Sequence, residues 1–414
     1  FRESLEESLN KFLSIFIILP ACFFSQTAIL EFSPNLSPTT FDLPLRADIE
    51  LSPSVSIVQH SHLFQTNYPF PFYLPYKEKI VRWKRVIQTS ESFIQFQKDA
   101  YSVSLGKMRQ RFGPGHLAGV FLSPTSPPID QLFLKYLSSS FKLQFQLMRL
   151  DNRPIGDSNS QIINRWYYLR RLSWSPSKKI TISLSEGMVV TGVNRQFEWH
   201  YLNPMNPFLL DENHEISNGY LTEEGDSDNA LIGFDITYTN NSWQAYTEWV
   251  IDEIQIDSED RKIVQDIFGG LVGMSYTKNE FQLIVEWSYA SPWLYLHHGL
   301  FTNLEKYGYP LALRTPMGQF LDVSYKNTFN KIIKYDLTLH FEQIGDQNIE
   351  TIWDAVGNKI DPFGFNGIED PEVRLEFGWV ENTSISFWLS HNQFQNGESH
   401  FGIQWHKTFK YSGE

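Results

Sequence analysis

Residues 281–289 read Phe-Gln-Leu-Ile-Val-Glu-Trp-Ser-Tyr. Large apolar side chains occupy every second position, and mostly polar ones lie between them. Because successive side chains of a β-strand point to opposite faces, this alternation predicts a strand with one apolar and one polar face. The same period recurs at residues 243–251, 333–342, 373–379 and 401–409. The rhythm continues from about residue 42 to 409, which predicts a single all-β domain.

The composition excludes several classes of protein. Hydrophobic residues make up 42% of the 414-residue chain, which argues against extensive disorder. One cysteine allows neither an intrachain disulfide nor a cysteine-based metal site. The formal net charge of −13 does not suit nucleic-acid binding, which requires a basic face. No nucleic-acid partner is therefore expected.

Strands of this kind are buried either in a soluble sandwich or propeller, or in a transmembrane barrel. The predicted strands run to about ten residues, the length that a tilted membrane strand needs. Aromatic residues, which form girdles at membrane interfaces, cluster near strand ends. They occur at Trp166-Tyr167-Tyr168, Trp174, Trp199-His200-Tyr201 and Trp293-Leu294-Tyr295. These features favour the barrel.

Short and long connections alternate along the chain. Short turns are predicted near 138–140, 175–178, 240–241, 278–279, 327–330 and 381–382. Long connections are predicted near 107–129, 151–162, 190–229, 255–266, 291–317, 346–370 and 394–397. Bacterial barrels have short periplasmic turns and long outer loops. The pattern therefore predicts a transmembrane antiparallel up-and-down β-barrel of the outer-membrane type.

Additional strands predicted near 42–51, 53–62, 80–88, 91–97 and 100–106 bring the total to about eighteen, an even number as closure requires. On this count the segment 63–79 is a long connection on the inner side. Its prolines at Pro69, Pro71 and Pro75 suggest an ordered lid or plug rather than a tight turn.

The N-terminal region has the pattern of a secretory signal. Lys11 precedes an apolar run at 12–24, too short to span a bilayer, and small or polar residues follow. We expect residues 1–26 to be a signal peptide, 27–41 a short periplasmic segment and 42–414 the barrel in the cell outer membrane. Cys22 resembles a lipidation site only loosely, so removal with the signal peptide is favoured over a lipidated N-terminus.

Catalytic and metal-binding patterns are weak. The sequence contains no GxSxG, HExxH, Walker or dinucleotide motif, so we expect neither an enzyme nor a cofactor. The acidic loop 211–229 offers oxygen ligands for calcium, but its spacing does not match an EF-hand and a solvated loop is favoured. His297 and His298 are adjacent and would point to opposite faces of a strand. No metal site is predicted.

Two sets of residues are candidates for binding. The segment 106–116 is basic and glycine-bearing, so it would either face anionic groups of a glycan or lipid, or form a turn in a wet lumen. Loop aromatics, including Tyr307 and Tyr309, would either stack on sugar rings or pack as membrane-interface anchors. The candidate polysaccharide-binding residues are Arg109, Arg111, His116, Trp199, Tyr201, Trp293, Tyr295 and His297.

Six segments resemble the capsule assembly Wzi family of outer-membrane proteins. They are GKMRQRFGPGHLAGVFLSPTSPPIDQL at 106–132, LRRLSWSPSKKITISLSE at 169–186, YLNPMNP at 201–207, DNALIGFD at 228–235, EWVIDEIQ at 248–255 and EWSYASPWLYLH at 286–297. The resemblance implies an eighteen-stranded outer-membrane barrel with a lectin-like, non-catalytic role in holding surface polysaccharide. A related branch in gliding bacteria is associated with motility machinery.

The sequence thus predicts an outer-membrane barrel that binds, anchors or organises capsular polysaccharide, with that polymer and membrane lipid as its partners. One alternative is a diffusion channel, whose lumen would be lined by charges such as Arg170, Arg171, Lys334 and Glu342. Another alternative is a structural component of a surface motility or secretion complex.

Overall fold

The computed structural model describes most of the predicted barrel. The described residues are 27–32, 35–36, 41–65, 80–82, 85–155, 161–203, 206–208, 228–253, 265–296, 301–329, 333–344, 347, 372–378, 383–392 and 398–412. The predicted signal peptide lies outside them, as does most of the acidic loop 211–229. No helix among the described residues is long and apolar enough to cross a membrane.

The described residues form antiparallel strands and a 3₁₀ turn, Trp199–Leu202. The strands are β1 Thr27–Phe32, β2 Asn35–Leu36, β3 Phe41–Ser52, β4 Val55–Gln65, β5 Ile80–Arg82, β6 Arg85–Lys98, β7 Tyr101–Met108, β8 Ile129–Leu137, β9 Phe141–Arg149, β10 Arg153–Ile155, β11 Gln161–Trp174, β12 Ile180–Val193, β13 Asn229–Asn240, β14 Trp243–Glu253, β15 Ile267–Lys278, β16 Phe281–Ala290, β17 Glu305–Lys306, β18 Tyr309–Pro310, β19 Gly318–Phe329, β20 Ile333–Ile344, β21 Glu372–Gly378, β22 Thr383–Asn392 and β23 Glu398–Ser412.

Each long strand pairs with the next long strand along the chain. β3 pairs with β4, β4 with β6, and the sequence continues through β7, β8, β9 and β11 to β16, β19, β20 and β21. β21 lies beside β22, and β22 pairs with β23. β1 pairs with both β23 and β3, which joins the two ends of this series. The predicted all-β, up-and-down barrel architecture is confirmed, while the strand count of about eighteen stays a prediction.

The N-terminal part differs from the sequence prediction. The segments 80–88 and 91–97, predicted as two strands, form mainly one strand, β6, with a register shift opposite His60 and Ser61. The last residue of β4 and the first residue of β6 therefore lie at the same end of the barrel as the last residue of β7. The predicted inner-side placement of 63–79 depended on a strand break inside β6, which the structure does not have. Residues 66–79 themselves, with the predicted lid or plug, lie outside the described residues. In addition, 27–41 contains β1 and β2, which belong to the sheet.

The two faces of the barrel wall have different chemistry. The outward positions of β11, Leu172 and Trp174, are exposed, whereas the alternate positions Tyr167, Leu169 and Arg171 are buried in the lumen. Neighbouring strands keep this division. Exposed apolar side chains on the outer wall include Leu105, Ile182, Leu184, Phe234, Ile236, Val272, Met274, Trp287 and Leu321. A wall that turns large apolar groups to the outside is suited to contact with lipid.

Arg170 and Arg171 cannot both face the lumen, because neighbouring residues of a strand alternate between faces. Arg171 points inward and bonds Asp235, whereas Arg170 lies on the outer wall and pairs with Glu186. The prediction that both arginines line the lumen is wrong for Arg170. The side chains of Lys334 and Glu342 lie outside the described residues.

Candidate functional site

Two long connections fold back into the barrel and fill its middle. Residues 109–128, which join β7 to β8, contribute Phe112, Val120, Phe121 and Leu122 to a buried apolar cluster. Residues 291–317, which join β16 to β19, contribute further members to the same cluster. These are Trp293, Leu294, Tyr295, Leu296, Leu304, Leu311, Ala312 and Leu313. Luminal side chains of strands from β8 to β16, such as Ile129, Tyr167 and Leu271, complete the cluster.

One carboxylate holds the 109–128 connection to the wall. Glu286 of β16 is 1% exposed and accepts the backbone N–H groups of His116, Leu117 and Ala118. The Tyr246 hydroxyl donates to the same carboxylate. A bend in this connection thus has its N–H groups satisfied by a wall residue rather than by water. Charge-assisted bonds of this kind are stronger than neutral ones and fix the position of the loop.

The approach of the loop to the wall depends on a residue without a side chain. Gly113 has φ +97°, a conformation that disfavours other residues. A Cβ atom at this position would lie 2.2 Å from a carboxylate oxygen of Glu248. Gly113, in the segment for which a turn in the lumen was one of two alternatives, therefore packs directly against the buried acid.

Two basic residues of this connection, Arg111 and His116, lie in the lumen. The Arg111 guanidinium donates to the Pro114 carbonyl and lies 3.2 Å from Nδ1 of His116. Nε2 of His116 lies 3.0 Å from Oε1 of Gln244. Desolvation lowers the pKa of His116 below its ordinary value, the positive charge of Arg111 adds to that shift, and the Gln244 bond opposes it. Nε of Arg109 donates to the Ser126 carbonyl at 2.9 Å.

Two aromatics of the 291–317 connection, Trp293 and Tyr295, are packing residues. Trp293 is 5% exposed and Tyr295 is fully buried. Tyr295 donates its hydroxyl to the Val120 carbonyl at 2.7 Å and its backbone N–H to Asp252 at 2.7 Å. Burial raises the pKa of the Tyr295 phenol well above its ordinary value, so it stays a neutral donor. The two connections thus support each other inside the barrel.

A buried arginine fixes the same connection to β11. Arg165 is fully buried and donates to Asp151, to Glu305 and to the carbonyls of Phe301 and Asn303. Five donors in a planar group allow one side chain to satisfy several acceptors of an irregular segment. The hairpin of β17 and β18 projects from this anchor, with Tyr307 and Gly308 at its tip.

A different segment covers the outer wall near the long-connection end. After β12, the described residues of the 195–208 segment, 195–203 and 206–208, pack on the outward side chains of β9, β11 and β12. This cluster contains Phe145, Leu147, Tyr168, Met188, Val190, Tyr201 and Phe208. Arg170 donates to the carbonyls of Asn203 and Asn206, and its guanidinium lies 3.9 Å from the centre of the Phe208 ring.

Within this segment Tyr201 and Trp199 differ in exposure. Tyr201 is fully buried against Tyr168, whereas Trp199 is 70% exposed beside Phe197. Arg195 fixes the start of the segment through Asp228 and Glu198, and these two acids raise the pKa of its guanidinium above the ordinary value. Asp228, at the edge of the acidic loop, is thereby used in a structural ion pair.

The structure brings together part of the candidate binding set. Arg111 and His116 meet in the lumen, and Tyr295 packs on the same connection. Of the aromatics in that set, Tyr201, Trp293 and Tyr295 are enclosed by protein and offer no ring face to a sugar, while Trp199 is exposed. His297 lies outside the described residues. No group of His, Cys, Asp and Glu suited to a metal ion occurs among the described residues.

Sequence reasoning missed the residues that anchor the connections, namely Glu286, Arg165 and Arg195, and misplaced Arg170. For Glu286 and Arg165 the available signal was a charged residue within a predicted strand, whereas Arg195 lies beyond the end of β12 and has no such signal. Such a residue is costly unless it is paired, and it therefore indicates a structural or functional contact.

Fold and site together define a barrel of the outer-membrane class, with an apolar outer wall and a lumen filled by its own connections. The family model for capsule assembly protein Wzi matches residues 49–298. That span is more than half of the chain, and the chain therefore belongs to the capsule assembly protein Wzi family.

Solved structures with this fold include Escherichia coli Wzi, described as a carbohydrate-binding outer-membrane β-barrel involved in group 1 capsule assembly. The similarity covers 98% of this chain and 88% of that one, with 12% identity and a TM-score of 0.61. Pseudomonas aeruginosa OpdK matches over 93% and 98%, with 8% identity and a TM-score of 0.47. P. aeruginosa OccD3 matches over 93% and 91%, with 10% identity and a TM-score of 0.45. No curated protein sequence matches the chain.

Proposed function

We propose that this protein is a closed outer-membrane barrel that binds or anchors capsular polysaccharide at the cell surface, without catalysis. Membership of the capsule assembly protein Wzi family supports this function. The structure of E. coli Wzi, which has the same fold, is described as carbohydrate-binding. The apolar outer wall supports a position in the outer membrane.

The filled lumen is the observation that favours a binding protein over a diffusion channel. A barrel of this width encloses a water-filled pore unless something occupies it. Here the buried cluster of the 109–128 and 291–317 connections occupies the middle of the lumen, within the part of the chain that the structure describes. We therefore expect purified barrels in planar lipid bilayers to show no steady open conductance. A steady ohmic conductance would instead favour the channel.

Exposed aromatics near the long-connection end are the best candidates for sugar contact. Flat aromatic rings stack on the apolar face of sugars, and many weak contacts along a repeating polymer add up by avidity. Trp199 presents most of its surface. Tyr307, at the tip of the β17–β18 hairpin, is partly exposed, and the Lys306 ammonium lies 5.5 Å from its ring centre. We propose Trp199 and Tyr307 as the principal contacts.

The test compares cell-bound with released polysaccharide in strains that carry variants of this chain. Trp199→Ala combined with Tyr307→Ala should release polymer into the medium several-fold more than wild type, at unchanged total output. Trp174→Ala is the matched control, because Trp174 is an exposed wall tryptophan at the opposite end of the barrel. Unchanged retention in the double variant, or equal loss in the control, would contradict a role for these aromatics.

A further inference from the structure

A row of hydrogen-bond donors crosses five strands of the luminal wall near the short-turn end. Gln97 of β6 lies opposite Ser102 of β7, and Ser102 lies opposite Lys135 of β8. Lys135 lies opposite Gln144 of β9, which lies opposite Arg171 of β11. Because directly opposed residues share a face of the sheet, all five side chains point into the lumen.

Two more cations border this row. Lys142 is the diagonal neighbour of both Lys135 and Arg171 on the same face. It lies within electrostatic range of Lys135, Arg171 and Arg111, the last of which enters from the 109–128 connection above. The cluster therefore concentrates four positive charges on one side of the lumen.

The acids near the cluster neutralise only part of its charge. Asp235 forms a two-bond ion pair with Arg171. Glu286 is occupied by the N–H groups of the 109–128 connection, and Glu248 is buried against Gly113. Within the described part of the chain, neither Lys135 nor Lys142 has a hydrogen-bond or ion-pair partner, and both are partly accessible to solvent. Unpaired like charges at this spacing repel each other, which is unfavourable in the empty protein.

A polar cavity continues from the end of the row that Gln97 occupies. Its volume is about 640 Å³, and it lies at the short turns of β3–β4 and β6–β7. Its lining combines the hydroxyl and amide residues Ser52, Ser54, Ser56, Gln95 and Gln97 with the charged residues Glu50, Lys98 and Asp99. Hydroxyl, amide and carboxylate groups of this kind form hydrogen bonds with ligand hydroxyls. The cations and the cavity together thus match a ligand that carries both hydroxyl groups and an anionic group.

We propose that this luminal row binds an acidic sugar, with the carboxylate or phosphate of the ligand held by Lys135 and Lys142 and its hydroxyl groups held in the adjoining cavity. The ligand enters from the short-turn end, opposite to the surface that carries Trp199. The site is therefore separate from the outer polysaccharide contacts and does not depend on them.

The experiment measures ligand binding to the purified full-length protein in detergent micelles by titration calorimetry. The probes are trigalacturonate, glucose 6-phosphate and the neutral trisaccharide maltotriose. At low ionic strength we expect at least one charged probe to bind tenfold or more tightly than maltotriose. The preferred charged probe distinguishes a carboxylate ligand from a phosphate ligand. Equal binding of all three, or no binding of either charged probe, would overturn the proposal.

Variants locate the site. Lys135→Gln combined with Lys142→Gln should weaken the preferred charged probe tenfold or more. Lys142→Arg should keep affinity within about threefold, because it preserves the charge. Lys178→Gln combined with Lys179→Gln is the control, since those lysines are exposed on the β11–β12 turn. An equal loss of affinity in the control would show that the probe binds through non-specific charge attraction, and this result would overturn the proposal.

The thermal stability of the variant distinguishes a loss of binding from a loss of folding. Removing the mutual repulsion should raise the thermal midpoint of the unliganded K135Q/K142Q barrel by about 1–3 °C relative to wild type. A folded variant that keeps full affinity would overturn the proposal. Retention of surface polysaccharide should be unaffected by this pair, so a failure here is distinguishable from a failure of the outer-surface function.

Discussion

The 109–128 connection inside the barrel and the 195–208 segment outside it are attached to the wall by side chains of opposite charge. Both are irregular segments that lie against the wall at depths where water is scarce. Inside, a wall carboxylate, Glu286, accepts backbone N–H groups. Outside, a wall guanidinium, Arg170, donates to backbone carbonyls.

The difference shows that the charge of the anchoring side chain depends on which backbone groups each segment leaves unpaired. Buried N–H and carbonyl groups require partners, and an ionised side chain provides several at once. A bend that presents consecutive N–H groups needs an acid, and one that presents carbonyls needs a base. The charged residues of these strands are thus dictated by the connections that they hold.

Removing the inner anchor should have the largest effect. Glu286→Ala leaves three backbone N–H groups and the Tyr246 hydroxyl without their acceptor. We expect a loss of about 3–5 kcal/mol of stability, as is typical when one partner of a buried charged network is removed. The midpoint of heat-induced mobility change on gels measures this loss, and planar-bilayer recordings should show current where the wild type is silent.

Glu280→Gln is the control for this variant, because Glu280 is exposed on the β15–β16 turn. It should leave both readouts unchanged. Glu286→Gln should fall between wild type and Glu286→Ala, since an amide oxygen accepts fewer and weaker bonds. Wild-type stability in Glu286→Ala would show that the connection is held by its apolar cluster alone.

Removing the outer anchor should cost less. Arg170→Met keeps apolar contact with Phe208 but leaves Glu186 and two carbonyls without their donor. We expect about 2–3 kcal/mol of lost stability and faster proteolysis within 195–208, with the lumen still closed. Arg149→Met, an exposed arginine of the same outer wall, is the control. Current through the Arg170→Met barrel would break the distinction between the two regions.

The smallest expected effect is a pH dependence at His116. Its pKa is lowered in the folded protein, so the unfolded chain binds more protons as the pH falls below about 6.5. Stability should therefore decrease on acidification from that pH. Unfolding midpoints at pH 7.5 and 5.5 measure the slope, which His116→Gln should reduce. An equal slope in the variant would assign the dependence to other groups.

The alternation of apolar and polar residues was sufficient to predict the architecture. It predicted which face of strands such as β16 is apolar, and it predicted that short and long connections alternate. Both features follow from local geometry. The β6 strand was divided in error, since Thr89, Ser90 and Glu91 interrupt its pattern where the register shifts. Strand β1 was missed because its place is set by pairing with residues at the far end of the chain.

The candidate site was predicted less well. An aromatic residue in a loop has the same local signature whether it stacks on a ligand or packs inside a barrel. Tyr295 and Tyr201 are buried because their connections fold back onto the wall, a tertiary event that spacing along the chain does not encode. In the basic 106–116 segment, Arg111 and His116 lie inside the barrel, whereas the register of β7 puts Lys107 on the outer face with Leu105. The partner of the segment, Glu286, lies far away in sequence.

The pairing of Thr27 with Ser412 brings almost the first and last described residues together. Until β23 is in place, the outer edges of β1 and β2 can form hydrogen bonds only with solvent, lipid or another protein. An open sheet edge is unfavourable in hydrocarbon. The barrel therefore closes in a single step, when β23 pairs with β1. Before that step the open edge cannot lie in the hydrocarbon of a bilayer unless another partner occupies its hydrogen-bonding groups.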